Sequence, residues 1–284
     1  MQTKEIFLAG MPGSGKTAYI GSTWNMIAEG SIPTKLSKKV GSMPEDYNKI
    51  DEISKQLLSY SDLKRTKEVE SEALKITLCD SQGNDVYVDI PDLAGEIFRD
   101  LVKDRRLKKE IVTRLIHADC ILFFIYYKNM SDEKRISILD NNREDDDSSN
   151  LYNVEISKNR EANQSEIVEL LQAILEFLED SSLIVNIRFV LSAWDMVEKE
   201  YGSDINPEQF LEKKFPLLHQ YIITNCDRMN AEFWGISAIG GNLNDPEDVS
   251  RLQKEEFNAI KVIPPKGVRS NDLTALLVGM GENK

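Results

Sequence analysis

The chain has 284 residues, 41% of them hydrophobic and 29% charged, and carries a formal net charge of −13. That is the composition of a globular protein, with length enough for a substantial core that needs no disulfide staples. So acidic a chain is poorly suited to gripping a phosphate backbone, and no nucleic-acid partner is expected. The densest basic run, DRRLKK (104–109), reads as a solvated helix face. Cys79, Cys120 and Cys226 lie far apart in no metal-like spacing and read as buried, reduced thiols, which implies a reducing compartment. The N-terminus lacks the apolar core of a signal peptide. The longest apolar run, CILFFIYY (120–127), is too short to span a bilayer, so a cytoplasmic protein without a membrane anchor is expected.

EIFLAG (5–10) stops at glycine and reads as a buried strand. GMPGSGKT follows it, and then a helix that ends at Gly30. Residues 31–72 are polar and mixed, with helical spacing through Ile50, Ile53, Leu57 and Leu58. ALKITLCD (73–80) alternates, SQGN is a turn signal and DVYVDI (85–90) is a strand, so 73–90 is predicted to be a hairpin. One long helical pattern runs from about Ile97 to Ile116. After CILFFIYY, residues 128–160 are charged and irregular and read as a surface insertion. SEIVELLQAILEFLED (165–180) is an amphipathic helix whose apolar stripe is core packing. LIVNIRFVLSAWD (183–195) reads as a strand, residues 207–226 as a helix interrupted near Pro216, and NAEFWGISA (230–238) as a last strand. In the tail, NDPEDVSRLQKEEFNAI suggests a helix, PPKG a turn, and SNDLTALLVGM opens on a helix-cap signal. Strands alternating with helices give an α/β protein with a mostly parallel sheet and one antiparallel hairpin strand.

The run Gly10-Met11-Pro12-Gly13-Ser14-Gly15-Lys16-Thr17 satisfies G-x-x-x-x-G-K-[ST] at every fixed position, between a predicted strand and a predicted helix. Glycines let backbone N–H groups turn inward around a phosphate, and the helix that begins at the loop, through Lys16, Thr17 and Ala18, points its positive end at the same anion. Lys16 supplies a point charge to the outer phosphates and Thr17 a hydroxyl to Mg²⁺. Downstream, VYVDIPDLAGE (86–96) carries D-x-x-G after a strand. Asp92 is placed to sit near the metal, with Asp89 as its competitor. The N–H of Gly95 is placed to reach the terminal phosphate. His117 and His219 have no metal-like spacing.

These motifs together, GMPGSGKT, DLAGE, SAWD and the later Ser237-Ala238, resemble a Ras-like GTPase of the translation-factor-related class over residues from about 4 to 240. Within that class they look most like the bacterial double-GTPase families, often encoded beside a second similar GTPase in defence or conflict gene clusters. The resemblance implies a three-layer P-loop NTPase fold with Ras-like topology. It implies a GTPase domain over 1–245, with insertions at about 31–72 and 128–160, and a C-terminal extension over 246–284.

The resemblance also assigns roles. Gly10 to Thr17 would be the phosphate loop, Asp92 would contact Mg²⁺, and Gly95 the γ-phosphate. Glu96 stands where many such GTPases hold a water-orienting glutamine. A glutamate there implies slow hydrolysis that needs a partner; its other reading is a helix-start carboxylate. The class expects a threonine that closes on Mg²⁺, for which Thr66 is preferred and Thr34 is second. Arg65 is either an arginine acting in cis or an exposed loop residue. In the class pattern [NT]-K-x-D the aspartate reads guanine. Asp195 matches it, while Ser192 and Ala193 depart from it, and Trp194 is either a stacking residue or core. The Ala238 N–H would meet the guanine carbonyl oxygen. The resulting expectation is a GTP-binding, Mg²⁺-dependent hydrolase acting as a switch or assembly factor with a second GTPase, an effector or its own copy. Its rivals are a non-hydrolysing nucleotide-binding scaffold of a GTPase pair, an ATPase or small-molecule kinase, and a membrane-recruited interaction module.

Overall fold

Residue-by-residue alternation along the strands divides the apolar residues between two faces of one sheet. The computed structural model describes residues 3–39, 41, 44–59, 73–91, 95–126, 164–179 and 184–279. The first strand, β1 (Lys4–Ala9), runs into the Gly-rich loop and α1 (Lys16–Glu29), which stops at left-handed Gly30. Next come β2 (Leu36–Lys38), α2 (Pro44–Leu58), and the hairpin of β3 (Leu74–Asp80) and β4 (Asp85–Ile90). They are followed by α3 (Glu96–Asp104), α4 (Lys109–His117), β5 (Cys120–Tyr126), α5 (Gln164–Leu178), β6 (Val185–Ser192) and α6 (Trp194–Tyr201). The chain continues through α7 (Pro207–Lys214), α8 (Pro216–Thr224), β7 (Met229–Ser237), α9 (Pro246–Glu255) and β8 (Lys261–Ile263) to a 3₁₀ helix at Leu273–Leu277.

The strand order is β2-β3-β4-β1-β5-β6-β7-β8. The sheet is parallel from β4 to β7, the predicted hairpin is antiparallel, and β2 and β8 add antiparallel edges. In β1, Phe7 and Ala9 face a cluster with α3, α4, α5, α7 and α8, whereas Ile6 and Leu8 face one with α1, α2 and the C-terminal residues. This period-two division makes three layers, helices over both faces of the sheet. It is the α/β P-loop fold with Ras-like topology. The stripe of α5, Ile167, Leu170, Leu171, Ile174, Leu175 and Leu178, is wholly buried. At about 1.5–3 kcal/mol for each buried aliphatic side chain, packing rather than intrinsic helix propensity holds this helix.

Four expectations are corrected. The single helix expected over 97–116 is two, because Arg105 is left-handed (φ 51°) and its N–H closes on Leu101 O at 2.9 Å. DRRLKK is therefore mostly the exposed connection between α3 and α4, where crowded cations disfavour a continuous helix, while Leu107 packs inward. The strand expected through Asp195 stops at Ser192; Ala193 is left-handed and Asp195 lies in the first turn of α6. Only Cys120 is buried, with Cys79 half-buried and Cys226 exposed. The insertion expected at 128–160 lies outside the described residues.

Residues 246–279 pack on the same sheet. Phe257, Ile260, Val262, Leu273, Leu276 and Leu277 share a cluster with α1 and the hairpin. Buried Arg188 of β6 donates to Leu276 O at 2.6 Å and Val278 O at 2.9 Å and pairs with Glu232 at 2.6 Å. Tyr19 Oη of α1 donates to Leu273 O at 3.1 Å.

Candidate nucleotide-binding site

The C-terminal ends of the parallel strands β1, β5, β6 and β7 open on one cleft, the place where open α/β sheets bind ligands. Its volume is about 430 Å³, within the usual range of ligand pockets. One wall is Gly13, Gly15 and Ala18 of the loop and α1; the other is Asp195, Ser237 and Ala238, with Tyr126, Met196, Ile239 and residues 241–244 around them. The structure thus brings Gly13, Gly15, Ala18, Asp195, Ser237 and Ala238, all expected from sequence to hold a nucleotide, to one cavity. Gly10, Met11, Pro12, Ser14, Lys16 and Thr17 form the rest of the loop.

The loop is shaped by Gly10, Gly13 and Gly15, all at positive φ (146°, 74° and 95°), which L side chains rarely adopt. Gly15 leaves α1 without a side-chain cap, and its first turn holds no acidic residue. The positive end of α1 is therefore aimed at the loop. Lys16, 2% exposed, turns its ammonium back to Gly10 O (2.7 Å), Met11 O (3.1 Å) and Ser14 Oγ (3.3 Å). It also lies 5.8 Å from the centre of the Phe98 ring. Gly95 packs straight onto this loop: a Cβ there would sit 2.8 Å from Pro12 N and 2.9 Å from Lys16 Nζ. Its φ of 79° also makes it the left-handed cap of α3. Glu96, the first residue of α3, points its exposed carboxylate at Arg99, 3.1 Å away.

At the other end, Asp195 is buried, and its Oδ1 accepts from Ser237 Oγ. Its Oδ2 is buried and has no partner among the described residues. An acceptor left so costs free energy until a donor arrives. Trp194 faces the other way. It is fully buried, edge-on to Phe210 at 5.8 Å, with its ring against Gly235. It is therefore core and no stacking platform. Ser192 Oγ donates to Ile125 O at 3.3 Å.

Asp89 is engaged by Arg114 at 3.3 Å and Lys75 at 4.0 Å, with burial pushing its carboxyl upward against those two cations. Thr34 Oγ1 donates to Leu36 O at 2.9 Å, at the start of β2. Asp92, Thr66 and Arg65 lie outside the described residues. Thr17 is half-buried in the first turn of α1 and is a hard oxygen donor of the kind Mg²⁺ takes. Among the described residues no group of three or more His, Cys, Asp or Glu side chains forms a metal site.

Sequence reasoning missed Tyr126 and the loop 239–244. Tyr126 closes β5 opposite Ser192, and burial and the negative charge of Asp195 push its phenol up. Its signal was its place as the last inward residue of the longest apolar strand. No described helix is long and apolar enough to cross a membrane.

The chain matches no curated protein. Among solved structures it is similar to the bacterial selenocysteine-specific elongation factor EF-Sec, with 10% identity and a TM-score of 0.38, over 90% of this chain and 29% of that one. It is also similar to the GTP-bound Ski7 GTPase-like domain of S. cerevisiae, with 11% identity and a TM-score of 0.45, over 90% of this chain and 50% of that one. A third is the signal recognition particle receptor SRb-GTP/SRX complex from Chaetomium thermophilum, with 11% identity and a TM-score of 0.42, over 85% of this chain and 94% of that one. The chain therefore spans half or less of the first two. A family model, Double-GTPase 1, matches residues 7–280. That span contains the loop, the cleft and the buried aspartate, and the chain belongs to the Double-GTPase 1 family.

Proposed function

We propose that the chain binds GTP in this cleft with Mg²⁺, hydrolyses it slowly to GDP and phosphate, and works as a switch or assembly factor with a protein partner. The observation that carries this reading is Asp195. It is a buried carboxylate with one unpartnered oxygen, across one cleft from a phosphate loop. Guanine presents two N–H donors on one edge, and a carboxylate is an acceptor-only group. Lys16 and the first turn of α1 take the phosphates. Mg²⁺, when bound, screens phosphate charge. Thr17 is its proposed ligand here, joined by Asp92 and Thr66. Gly95, already against the loop, is placed to sense the terminal phosphate, and through it the start of α3 responds to nucleotide state.

The proposed nucleotide-binding unit is 1–245, with 246–284 an extension whose residues 246–279 pack on it. The proposed setting is a bacterial cytoplasm, in a defence or conflict system, beside a second GTPase. The test is mass spectrometry of nucleotide carried by the purified protein, followed by competition between GTP and ATP. Guanine nucleotide is expected; adenine nucleotide alone would sink the reading.

One observation favours a second reading. Glu96 is exposed and paired with Arg99 rather than turned toward the loop. A carboxylate held there does not orient an attacking water, which fits a non-hydrolysing partner in a GTPase pair. Single-turnover hydrolysis with and without the partner GTPase separates the two readings. No turnover in either condition selects the scaffold.

A further inference from the structure

The loop after β7 walls the base end of the cleft and is gripped from behind by α9. Arg251 Nη2 donates to Gly240 O at 2.8 Å and to Asp248 Oδ1 at 2.9 Å. Asp248 Oδ2 accepts from Asn242 N at 3.0 Å and from Lys199 Nζ at 3.3 Å. Lys199 belongs to α6, the helix whose first turn carries Asp195. On the loop side, Gly240 N donates to Ser237 Oγ at 3.2 Å, and Ser237 Oγ donates to Asp195. These bonds close a ring: Asp195, Ser237, Gly240, Arg251, Asp248, Lys199, and back along α6 to Asp195. The loop sequence is fitted to this grip. A Cβ on Gly240 would lie 2.5 Å from Ala259, and one on Gly241 would lie 2.8 Å from Arg251 Nη2. Meanwhile Ser192 gives its hydroxyl to Ile125 O, and Ala193 offers only a methyl group.

We propose that the Asp248–Arg251 pair is a positioning device for base recognition, holding loop 238–244 and Asp195 in register without touching the nucleotide. The inference rests on the guanine-binding reading of the cleft. Asp248 is fit for the task because it stays ionised. The Asn242 N–H, then Arg251 and Lys199, hold its carboxyl down to about 2, against its burial. A charged hydrogen bond gripping each side of the loop fixes where the Ala238 N–H and the Asp195 oxygens stand relative to one another.

The test compares Arg251→Ala and Asp248→Asn with Arg228→Ala, which removes a comparable partly buried arginine far from the cleft (Arg228 reaches Leu175 O and Glu179). Dissociation of a fluorescent GDP analogue should quicken about tenfold in the two clasp variants, with the GTP-over-ATP preference falling in step. Arg251→Lys should be intermediate, and Arg228→Ala should change neither. If GTP and ATP weaken by the same factor, in proportion to lost thermal stability, the pair is merely structural and the proposal fails. Amide hydrogen exchange of the nucleotide-free protein gives a second readout that does not depend on the base. Exchange over 239–244 should quicken in Arg251→Ala while that of β7 holds. If wild type shows no guanine preference, the base reading has failed and exchange alone decides the clasp; unchanged exchange overturns it.

Discussion

Replacing Asp195 by asparagine should exchange guanine for xanthine as the preferred base. Guanine offers N1–H and a 2-amino group on one edge; xanthine keeps N1–H but carries a carbonyl at position 2. Asp195 Oδ1 accepts from Ser237 Oγ, and Oδ2 accepts nothing among the described residues, so the carboxylate retains acceptor sites for both guanine donors. Asparagine keeps one oxygen and puts an NH₂ at the other position. Ser237 Oγ already accepts the Gly240 N–H and has its own proton to give. The amide oxygen therefore stays on the Ser237 side, and the NH₂ faces the base. Against guanine two donors then meet. Against xanthine a hydrogen bond forms.

The loss for GTP combines a charge-assisted bond of about 1.5–3 kcal/mol with an unsatisfied donor pair of about 1–3 kcal/mol. That is about 10²- to 10³-fold in affinity once partial solvation is allowed. Displacement of a fluorescent GDP analogue by GTP, XTP and ATP measures it in wild type and variant. Without nucleotide, Asp195→Asn should be no less stable than wild type, because it removes a buried charge that lacks a full set of donors. An unchanged GTP-to-XTP ratio in a folded variant, or equal loss of both, would refute the assignment of Asp195 to the base.

Gly95→Ala would place a methyl group 2.8 Å from Pro12 N and 3.0 Å from Met11 C at a φ of 79°. The expected cost is about 1–3 kcal/mol, seen as a lower midpoint of thermal unfolding and a smaller shift of that midpoint on adding GTP. Arg188→Met strands the carbonyls of Leu276 and Val278 and the carboxylate of Glu232. It should cost about 2–4 kcal/mol in urea unfolding and open the C-terminal residues to proteolysis, with Arg188→Lys recovering part of the loss. Burial pushes the Cys120 thiol up to about 12, so iodoacetamide at pH 9 should label exposed Cys226 and leave Cys120 untouched until the protein is denatured, as mass spectrometry would read.

The parts of the fold legible in sequence are those with local causes. The loop has a fixed spacing, the hairpin has a turn signal between alternating runs, and β5 is an uninterrupted apolar run. β2 and β8 are three residues each, too short for periodicity to register, and they form because a sheet edge is there to pair with. The break at Arg105 and the early end of β6 turn on left-handed residues, Arg105 and Ala193. Neither is a glycine, so nothing in the sequence marked the turn. The site divides the same way. Lys16 and Asp195 stand in motifs. Tyr126 reaches the cleft, and Asp248 and Arg251 reach the back of its wall, only through tertiary packing, from strands and helices far away in sequence. Trp194 read as either stacking residue or core; the Phe210 ring and the space at Gly235 made it core.

The two ends of the cleft have complementary needs. At one end Lys16 donates to two carbonyls and a hydroxyl, all neutral acceptors, and a phosphate oxygen binds an ammonium more strongly than any of these. At the other end Asp195 has a buried oxygen with no donor. A ligand with anionic oxygens at one end and a donor edge at the other answers both. GTP and ATP are equal at the phosphate end, so Lys16 and the loop cannot tell them apart. Where guanine presents the N1–H and 2-amino donors, adenine presents the N1 acceptor and a C2–H, and a carboxylate penalises the acceptor. Discrimination between the two nucleotides therefore falls on the Ala238 N–H and, above all, on the position of one carboxylate. That position is set by Ser237, the loop behind it, and the α9 pair that grips the loop.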